Sequence, residues 1–541
     1  MTSILRHPLL GLIRGNKLTS TDLVQYCGLP YGTIPQRFSR STTLQELPTT
    51  SSSETFDATK TGPECIQPEG AVKLDCESNQ FPNQDFEEPP QSENCLYLNV
   101  VAPESQSTTP LPVLVFLHGG AFLIGSSSRP YYTPTNFVKH AFSTNRPHIF
   151  VSINFRLGAL GFLHSSEVSS LIPPNNGLHD QLRAFEWIHR NISGFNGDPE
   201  RITAIGQSAG GESVSLHTIS GNETPLFKQV IAFSGSPVTM PSKTPEGHQE
   251  NFLELADKLG VKDIKTKTSE QIAQEFIDAP ISKIRELSFV GAPCSSSEML
   301  PYDKPTMALT YSKPESNVKW LKRAIYSSCT YDGSISYNMM SKSGKKDNAK
   351  SFIDNANENM SKAGAQELSS IYGIDENDSD PAALKKGCQF ESDIGFFAAS
   401  LAEVQGSPAE KRFLQLFDLK NPFKAGGALP EKEAASHTWD IVALLGKYDD
   451  LLDEKTLKIV KEWRGRILNF VCEEDDPWIE WDEETGNALR IGDEDLKMQQ
   501  KSEYMDEDGQ RRKRLLELAE REKGEQGWDH LWEGVCRKWL D

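Results

Sequence analysis

The stretch Gly206-Gln207-Ser208-Ala209-Gly210 constrains the fold of this 541-residue chain more than any other. It follows a strand-like run, Arg201-Ile202-Thr203-Ala204-Ile205, and precedes a helix-like run that starts near Ala209 and carries Val214, Leu216 and His217. A serine at such a strand-to-helix corner sits in a strained backbone conformation, and glycines flank it because neighbours with a Cβ would collide. The helix that follows aims its unpaired N–H groups at the corner, where they favour a developing negative charge. The pattern alone arises by chance in about one chain in five of this length, so the surrounding residues must carry the argument.

Through the first half, apolar strands alternate with amphipathic helices, which predicts the α/β class with a central, mostly parallel twisted sheet and helices on both faces. Residues 111–117 form a strand-like run ending at His118-Gly119-Gly120-Ala121-Phe122, and residues 149–153 form another. Leu178, Leu182, Phe185, Ile188 and Ile192 fall at helical spacing, and Val230-Ile231-Ala232-Phe233 reads as a strand ending at Ser234. Past residue 240 the rhythm turns irregular, as expected of helical and loop insertions over a site, with further strands at 323–326 and 413–417. Residues 341–362 are polar enough to read as a solvated loop or helix. Residues 1–482 are expected to form one domain. Residues 483–541 read as a charged, helical C-terminal segment, in which Arg511-Arg512-Lys513-Arg514 precedes Leu515, Leu516, Leu518 and Ala519; a helix of this kind could dock a second copy.

A formal net charge of −20 argues against nucleic acid or an anionic membrane as a partner, since both reward basic patches. No apolar run approaches the roughly 20 residues of a membrane span, and the first ten residues lack the apolar core and cleavage site of a secretory signal. A cytoplasmic location is the expectation. The nine cysteines are odd in number and include no C-x-x-C pair, so neither zinc nor redox chemistry is indicated. No metal and no organic cofactor is expected.

A serine hydroxyl attacks only when a base takes its proton, so Ser208 calls for a histidine oriented by a carboxylate. In folds built on this corner the acid follows the serine and the histidine follows the acid. His217, His248, His437 and His530 lie beyond Ser208. His217 is on the helix leaving the corner, His530 is in the charged segment, and no apolar run stands before His248 to supply an acid, which leaves His437. Two aspartates sit just past strand-like runs, Asp332 and Asp418. The glycine after Asp332 marks a tight turn that could aim its carboxylate, a slight preference that leaves both open. An oxyanion needs backbone N–H groups that approach the substrate closely; Gly119, Gly120 and Ala121 are placed to give them, with Ala209 as a further donor. His118 precedes the serine and reads as a structural residue fixing that loop.

At these residues the chain resembles the type-B carboxylesterase family, the cholinesterase-like branch of the α/β-hydrolases. The likeness includes Gly28-Leu29-Pro30-Tyr31, Glu93-Asn94-Cys95-Leu96-Tyr97-Leu98-Asn99, Asn154-Phe155-Arg156-Leu157-Gly158, Asn176-Gly177-Leu178-His179-Asp180-Gln181 and Phe195-Asn196-Gly197-Asp198-Pro199, and it covers about residues 8 to 482. The resemblance implies Ser208 as nucleophile, Asp332 rather than Asp418 as acid, and His437, within Ser436-His437-Thr438-Trp439-Asp440, as base. It implies oxyanion donors on Gly120, Ala121 and Ala209, a supporting role for buried Ser234, and a structural ion pair of Arg37 with Glu93.

The expected activity is hydrolysis of small carboxylic esters through an acyl-enzyme on Ser208. The same site could instead serve lactone opening, amide hydrolysis or acyl transfer, and some relatives of this fold are non-catalytic adhesion proteins. Gln207 stands where cholinesterases carry glutamate, and the loop between Cys65 and Cys95 has Phe81 and Phe86 but no tryptophan, so choline esters are not the expected substrate. Ala121 replaces a third glycine found in many relatives. Cys65 and Cys95 match a disulfide of secreted members, and their sulfurs are expected to lie close whether or not they are bonded.

Overall fold

The computed structural model describes every residue except 20, 49–53, 83–86, 106–108, 221, 223, 287–291, 304–305, 308–317 and 541. Phe86 lies outside the described residues.

Strands buried on both faces need apolar residues at nearly every position, and Leu111–Leu117, Ile149–Ile153 and Gln229–Phe233 meet that demand with every residue buried. They belong to a 13-stranded sheet. Its centre is parallel: Ile149–Ile153 lies beside Leu111–Leu117, followed by Gly197–Gln207, Gln229–Phe233, Arg323–Cys329, Lys411–Phe417 and Ala488–Ile491. Antiparallel strands finish both sides, with Thr2–His7, Gly11–Lys17, Leu23–Pro30 and Tyr97–Pro103 on one and Leu496–Gln499 on the other.

Because successive side chains point to opposite faces, each central strand feeds two cores. Val113, Val115 and Leu117 join the core that holds the helices Asn176–Asn191 and Ala209–Ile219. Leu114 and Phe116 join the core on the other face, packed with Phe137 of Thr135–Ser143, Trp439 of Trp439–Leu445 and Trp463 of Glu454–Cys472. The expected sheet with helices on both faces is therefore observed.

Of the two readings of residues 341–362, loop or helix, the helical one is observed: most lie in the helices Ser334–Ser343, Asn348–Asn359 and the start of Lys362–Tyr372, though with Phe352 and Ala356 buried rather than solvated. The segment from 483 differs from the expected helix: it supplies two strands, Ala488–Ile491 and Leu496–Gln499, before turning helical over Lys501–Lys523, where a kink with non-helical backbone at Glu507, Asp508, Gly509 and Gln510 divides the helix in two. Leu515, Leu516, Leu518 and Ala519 of that helix are buried in the same core as Leu368, because the segment folds back onto the insertion helices.

Among the described residues no helix is long and apolar enough to cross a membrane, and no group of three or more His, Cys, Asp or Glu side chains is arranged to hold a metal ion. All nine cysteines are free and buried.

Candidate active site

Ser208 sits directly after the strand Gly197–Gln207 with φ +56° and ψ −128°, a region that a residue with a side chain enters only under strain. The surroundings fix it there. Its N–H donates to Phe233 O at 2.8 Å. A side chain on Gly206 would enter the backbone of Gly210, and one on Gly210 would enter the Leu117 carbonyl. The glycine pair is thus required by close approach of the elbow helix to two strands.

The ends of two neighbouring parallel strands bring Asp332 and His437 together. Arg323–Cys329 leads into Asp332, and Lys411–Phe417 leads into the longer loop that carries His437. Tyr331 and Ser436 pair as an isolated parallel bridge between these loops, and His437 N–H donates to Ser334 Oγ at 2.8 Å. The result is a 2.7 Å contact between His437 Nδ1 and Asp332 Oδ1. Asp332 is fully buried, and its Oδ2 accepts from Cys329 N at 2.7 Å. With Nδ1 carrying the proton toward the carboxylate, Nε2 is left as an acceptor. Burial pushes the imidazole pKa down, but the hydrogen bond and charge of Asp332, helped by Asp440 and Glu391, leave it above its ordinary value.

Asp418, the alternative acid, is occupied elsewhere: it accepts from Thr330 Oγ1 at 2.6 Å and pairs with Arg490. The other histidines are likewise engaged. His217 Nε2 is 2.9 Å from Gln181 Oε1, His248 Nε2 is 3.4 Å from Pro293 O, and His530 Nε2 is 2.8 Å from Asn359 O.

The loop after Leu111–Leu117 closes the site from the other side. A side chain on Gly119 would strike Gln207 and Ser208, so the loop backbone lies against the serine. Gly120 and Ala121 have φ of +107° and +54°. Among the described residues no acceptor takes their N–H groups. Ala209 opens the elbow helix, where the first N–H groups have no partner within the helix. His118 stacks on Phe155 with ring centroids 4.6 Å apart, and burial pushes its pKa down to about 4.

Ser234 is fully buried at φ +48°. Its hydroxyl lies 3.3 Å from Asp440 Oδ2 and accepts from Cys329 N at 3.3 Å. Sequence reasoning did not reach Asp440 or Glu391. Burial pushes both carboxyls up to about 7, assisted at Asp440 by the charge of Asp332. A signal for Asp440 was its place three residues after His437, next to an apolar Trp439. Gln207, marked in the sequence only by its difference from the cholinesterase glutamate, places its Nε2 3.2 Å from His437 Nε2. Phe396 faces the imidazole with ring centroids 5.3 Å apart.

The remaining expectations concern the frame around the site. Arg37 Nε is 2.6 Å from Glu93 Oε2. Arg156 and Asp180 form a buried two-pronged pair, with both N–H···O contacts at 2.8 Å. The Cys65 and Cys95 thiols are close enough to hydrogen-bond.

The model of the carboxylesterase family matches residues 2–508. Para-nitrobenzyl esterase of Bacillus subtilis (strain 168) is 37% identical over 202 residues, covering 37% of this chain and 38% of that protein. Esterase B1 of Culex pipiens is 34% identical over 257 residues, covering 46% of this chain and 42% of that protein. The chain thus spans less than half the length of these curated relatives. A solved PNB esterase superposes with a TM-score of 0.74 at 22% identity, covering 95% of this chain and 99% of the other, a likeness of fold.

Proposed function

The chain belongs to the carboxylesterase family, and from that membership we propose that it hydrolyses small carboxylic esters through an acyl-enzyme on Ser208. In this reading Ser208 Oγ attacks the ester carbonyl as its proton passes to His437 Nε2. The C=O electron pair moves onto oxygen, and the resulting oxyanion is held by the N–H groups of Gly120, Ala121 and Ala209, with Gly119 shaping the loop. Collapse of the tetrahedral species breaks the C–O bond to the alcohol, and His437 returns the proton to that leaving alkoxide. Water then repeats the sequence against the acyl-serine, its proton going to His437 and then to Ser208 Oγ, and a carboxylic acid departs. Asp332 holds the Nδ1–H tautomer and stabilises the imidazolium; it does not itself take the proton. Ser234 supports the acid side through Cys329 N and Asp440.

The observation that carries this reading is the 2.7 Å contact between His437 Nδ1 and Asp332 Oδ1, on an imidazole whose Nε2 meets Gln207, the residue before a serine held at a positive φ. Preorganised N–H donors at an oxyanion are worth about 3–4 kcal/mol each when removed singly, which makes the Gly120–Ala121 loop a large contributor to rate in this scheme.

The test is turnover of p-nitrophenyl acetate with mass spectrometry of the acylated or phosphonylated protein. A covalent adduct on Ser208 and loss of turnover in Ser208→Ala support the reading; undiminished turnover in that variant refutes it. The reading extends to location: an odd set of nine buried thiols fits a reducing compartment, and a thiol count on protein isolated from its native source checks it.

A further inference from the structure

The family match ends at residue 508, yet residues beyond it reach the support of the acid and base. The contact runs through one irregular turn, the π-helical segment Ser392–Phe397 between the helices Asp380–Glu391 and Ala398–Gly406. This turn reaches His437 and the residue that follows Asp332. Ser392 Oγ accepts from Gly333 N at 2.9 Å, next to Asp332, and Phe396 packs edge-on against His437. A π turn carries an extra residue at a cost to hydrogen-bond geometry and persists where surrounding contacts hold it.

Tyr372 supplies one such contact, its hydroxyl donating to Asp393 Oδ2 at 3.0 Å, and others come from beyond residue 508. Arg511 Nε donates to Asp393 Oδ2 at 2.7 Å and Arg512 Nε to Asp393 Oδ1 at 3.4 Å, while the Arg512 guanidinium lies 4.5 Å over the Phe397 ring. Asp393 is 1% exposed, and a carboxylate so buried needs its cations. The Trp532 indole covers Gly395, and a side chain on Gly395 would run into that ring; Gly387 and Trp539 meet in the same way one helix earlier. Trp532 is itself pinned by a 2.8 Å hydrogen bond from Nε1 to Val238 O.

We propose that the segment beyond residue 508 is a clamp on the acid–base pair, in which Trp532 acts as a positioning residue by holding Gly395 and, through it, Phe396 against His437. The inference rests on the reading of Asp332 and His437 as acid and base. Small displacements of such a pair are expensive: about 1 Å costs on the order of a hundredfold in rate.

The test uses the full-length chain with Gly395→Ala, Trp532→Leu and the double variant. The methyl added at residue 395 enters space that the removed Trp532 ring vacates. Each single change is expected to lower kcat for p-nitrophenyl acetate at least tenfold with KM changed less than threefold, and the double variant is expected to exceed both. Single variants within twofold of the wild type, or a double variant no better than the product of the singles, overturn the clamp. A readout independent of turnover is the downfield proton resonance of the His437 Nδ1–H···Asp332 hydrogen bond, expected to shift in each single variant and return in the double. If Gly395→Ala does not fold, Trp532→Leu decides on both readouts. A Ser208-independent wild-type activity would refute the esterase reading, and the resonance would still judge the clamp.

Discussion

His437 presents Nε2 to the side-chain amide of Gln207, with the two nitrogens 3.2 Å apart. Since Nδ1 holds its proton toward Asp332, the amide N–H is the donor and the Nε2 lone pair the acceptor. The lone pair that takes the serine proton in the proposed scheme is thus capped, in this state, by the residue immediately before Ser208.

An amide donor stabilises the neutral imidazole, whereas a carboxylate would stabilise the imidazolium. Gln207→Glu is therefore expected to move the acid limb of the kcat/KM profile upward by about one pH unit or more. Gln207→Met, which removes the donor without adding charge, is expected to move it upward by less. Profiles measured from pH 5 to 9 check the order; a downward shift in Gln207→Glu contradicts the assignment of donor and acceptor.

The two aspartates past neighbouring strand ends are separated by their partners. Asp332→Asn removes the charge that holds the His437 tautomer and is expected to lower kcat by about 10³–10⁴-fold. Asp418→Asn weakens only the contacts with Arg490 and Thr330, and kcat is expected to stay within about threefold of wild type, since neither partner is in the proposed reaction path. Steady-state kinetics on both variants, with circular dichroism to confirm folding, make the comparison.

Asp440 gives a stability prediction with a definite sign. Its pKa is raised by burial to about 7 from an ordinary 3.8, so the folded state holds this proton more tightly than the unfolded chain. The contribution is fully present below about pH 4 and is lost as pH rises through about 7. Asp440→Asn keeps the shape and removes the titration. Its stability relative to wild type is expected to rise by a few kcal/mol between pH 4 and 7.5, read from urea unfolding midpoints at several pH values. A constant difference across that range contradicts the buried-proton assignment.

The buried pair of Arg156 and Asp180 is expected to behave asymmetrically. Arg156→Met leaves a carboxylate buried without its cation and should destabilise by about 3–5 kcal/mol. Adding Asp180→Leu should recover much of that loss, because no unpaired charge remains. Thermal unfolding of the single and double variants decides.

Gly120→Ala tests the oxyanion loop. At φ +107°, with the Ile124 carbonyl where a Cβ would stand, the loop must move, and kcat is expected to fall by about 10²–10³-fold while KM changes little. Unchanged kcat would separate this loop from the oxyanion.

The corner around Ser208 was legible because its geometry is local: glycines at 206 and 210 follow from close backbone approach, and the apolar strands follow from burial on both faces. Asp332 and Asp418 could not be told apart from the residues alone, since both follow strands that pair with each other. The family likeness favoured Asp332, and the fold gives Asp418 to Arg490. Asp440 and Glu391 read as ordinary helix charges, because burial comes from elements distant in sequence. The same blindness affected Arg511-Arg512, which reads as a solvated charge run although its carboxylate partner lies 118 residues earlier. His530 lies in the same charged segment, yet its neighbours Trp532 and Val535 are in the core.

The nine buried sulfurs have a practical consequence. A folded molecule offers a water-soluble thiol reagent almost nothing to react with, so each modification event records an excursion from the native state. The sulfurs are spread from the first sheet strands at Cys27, past the acid loop at Cys329, to Cys536 in the final helical turns. Peptide-resolved labelling kinetics would therefore turn them into nine timers, ranking which regions of the molecule open first and at what free energy.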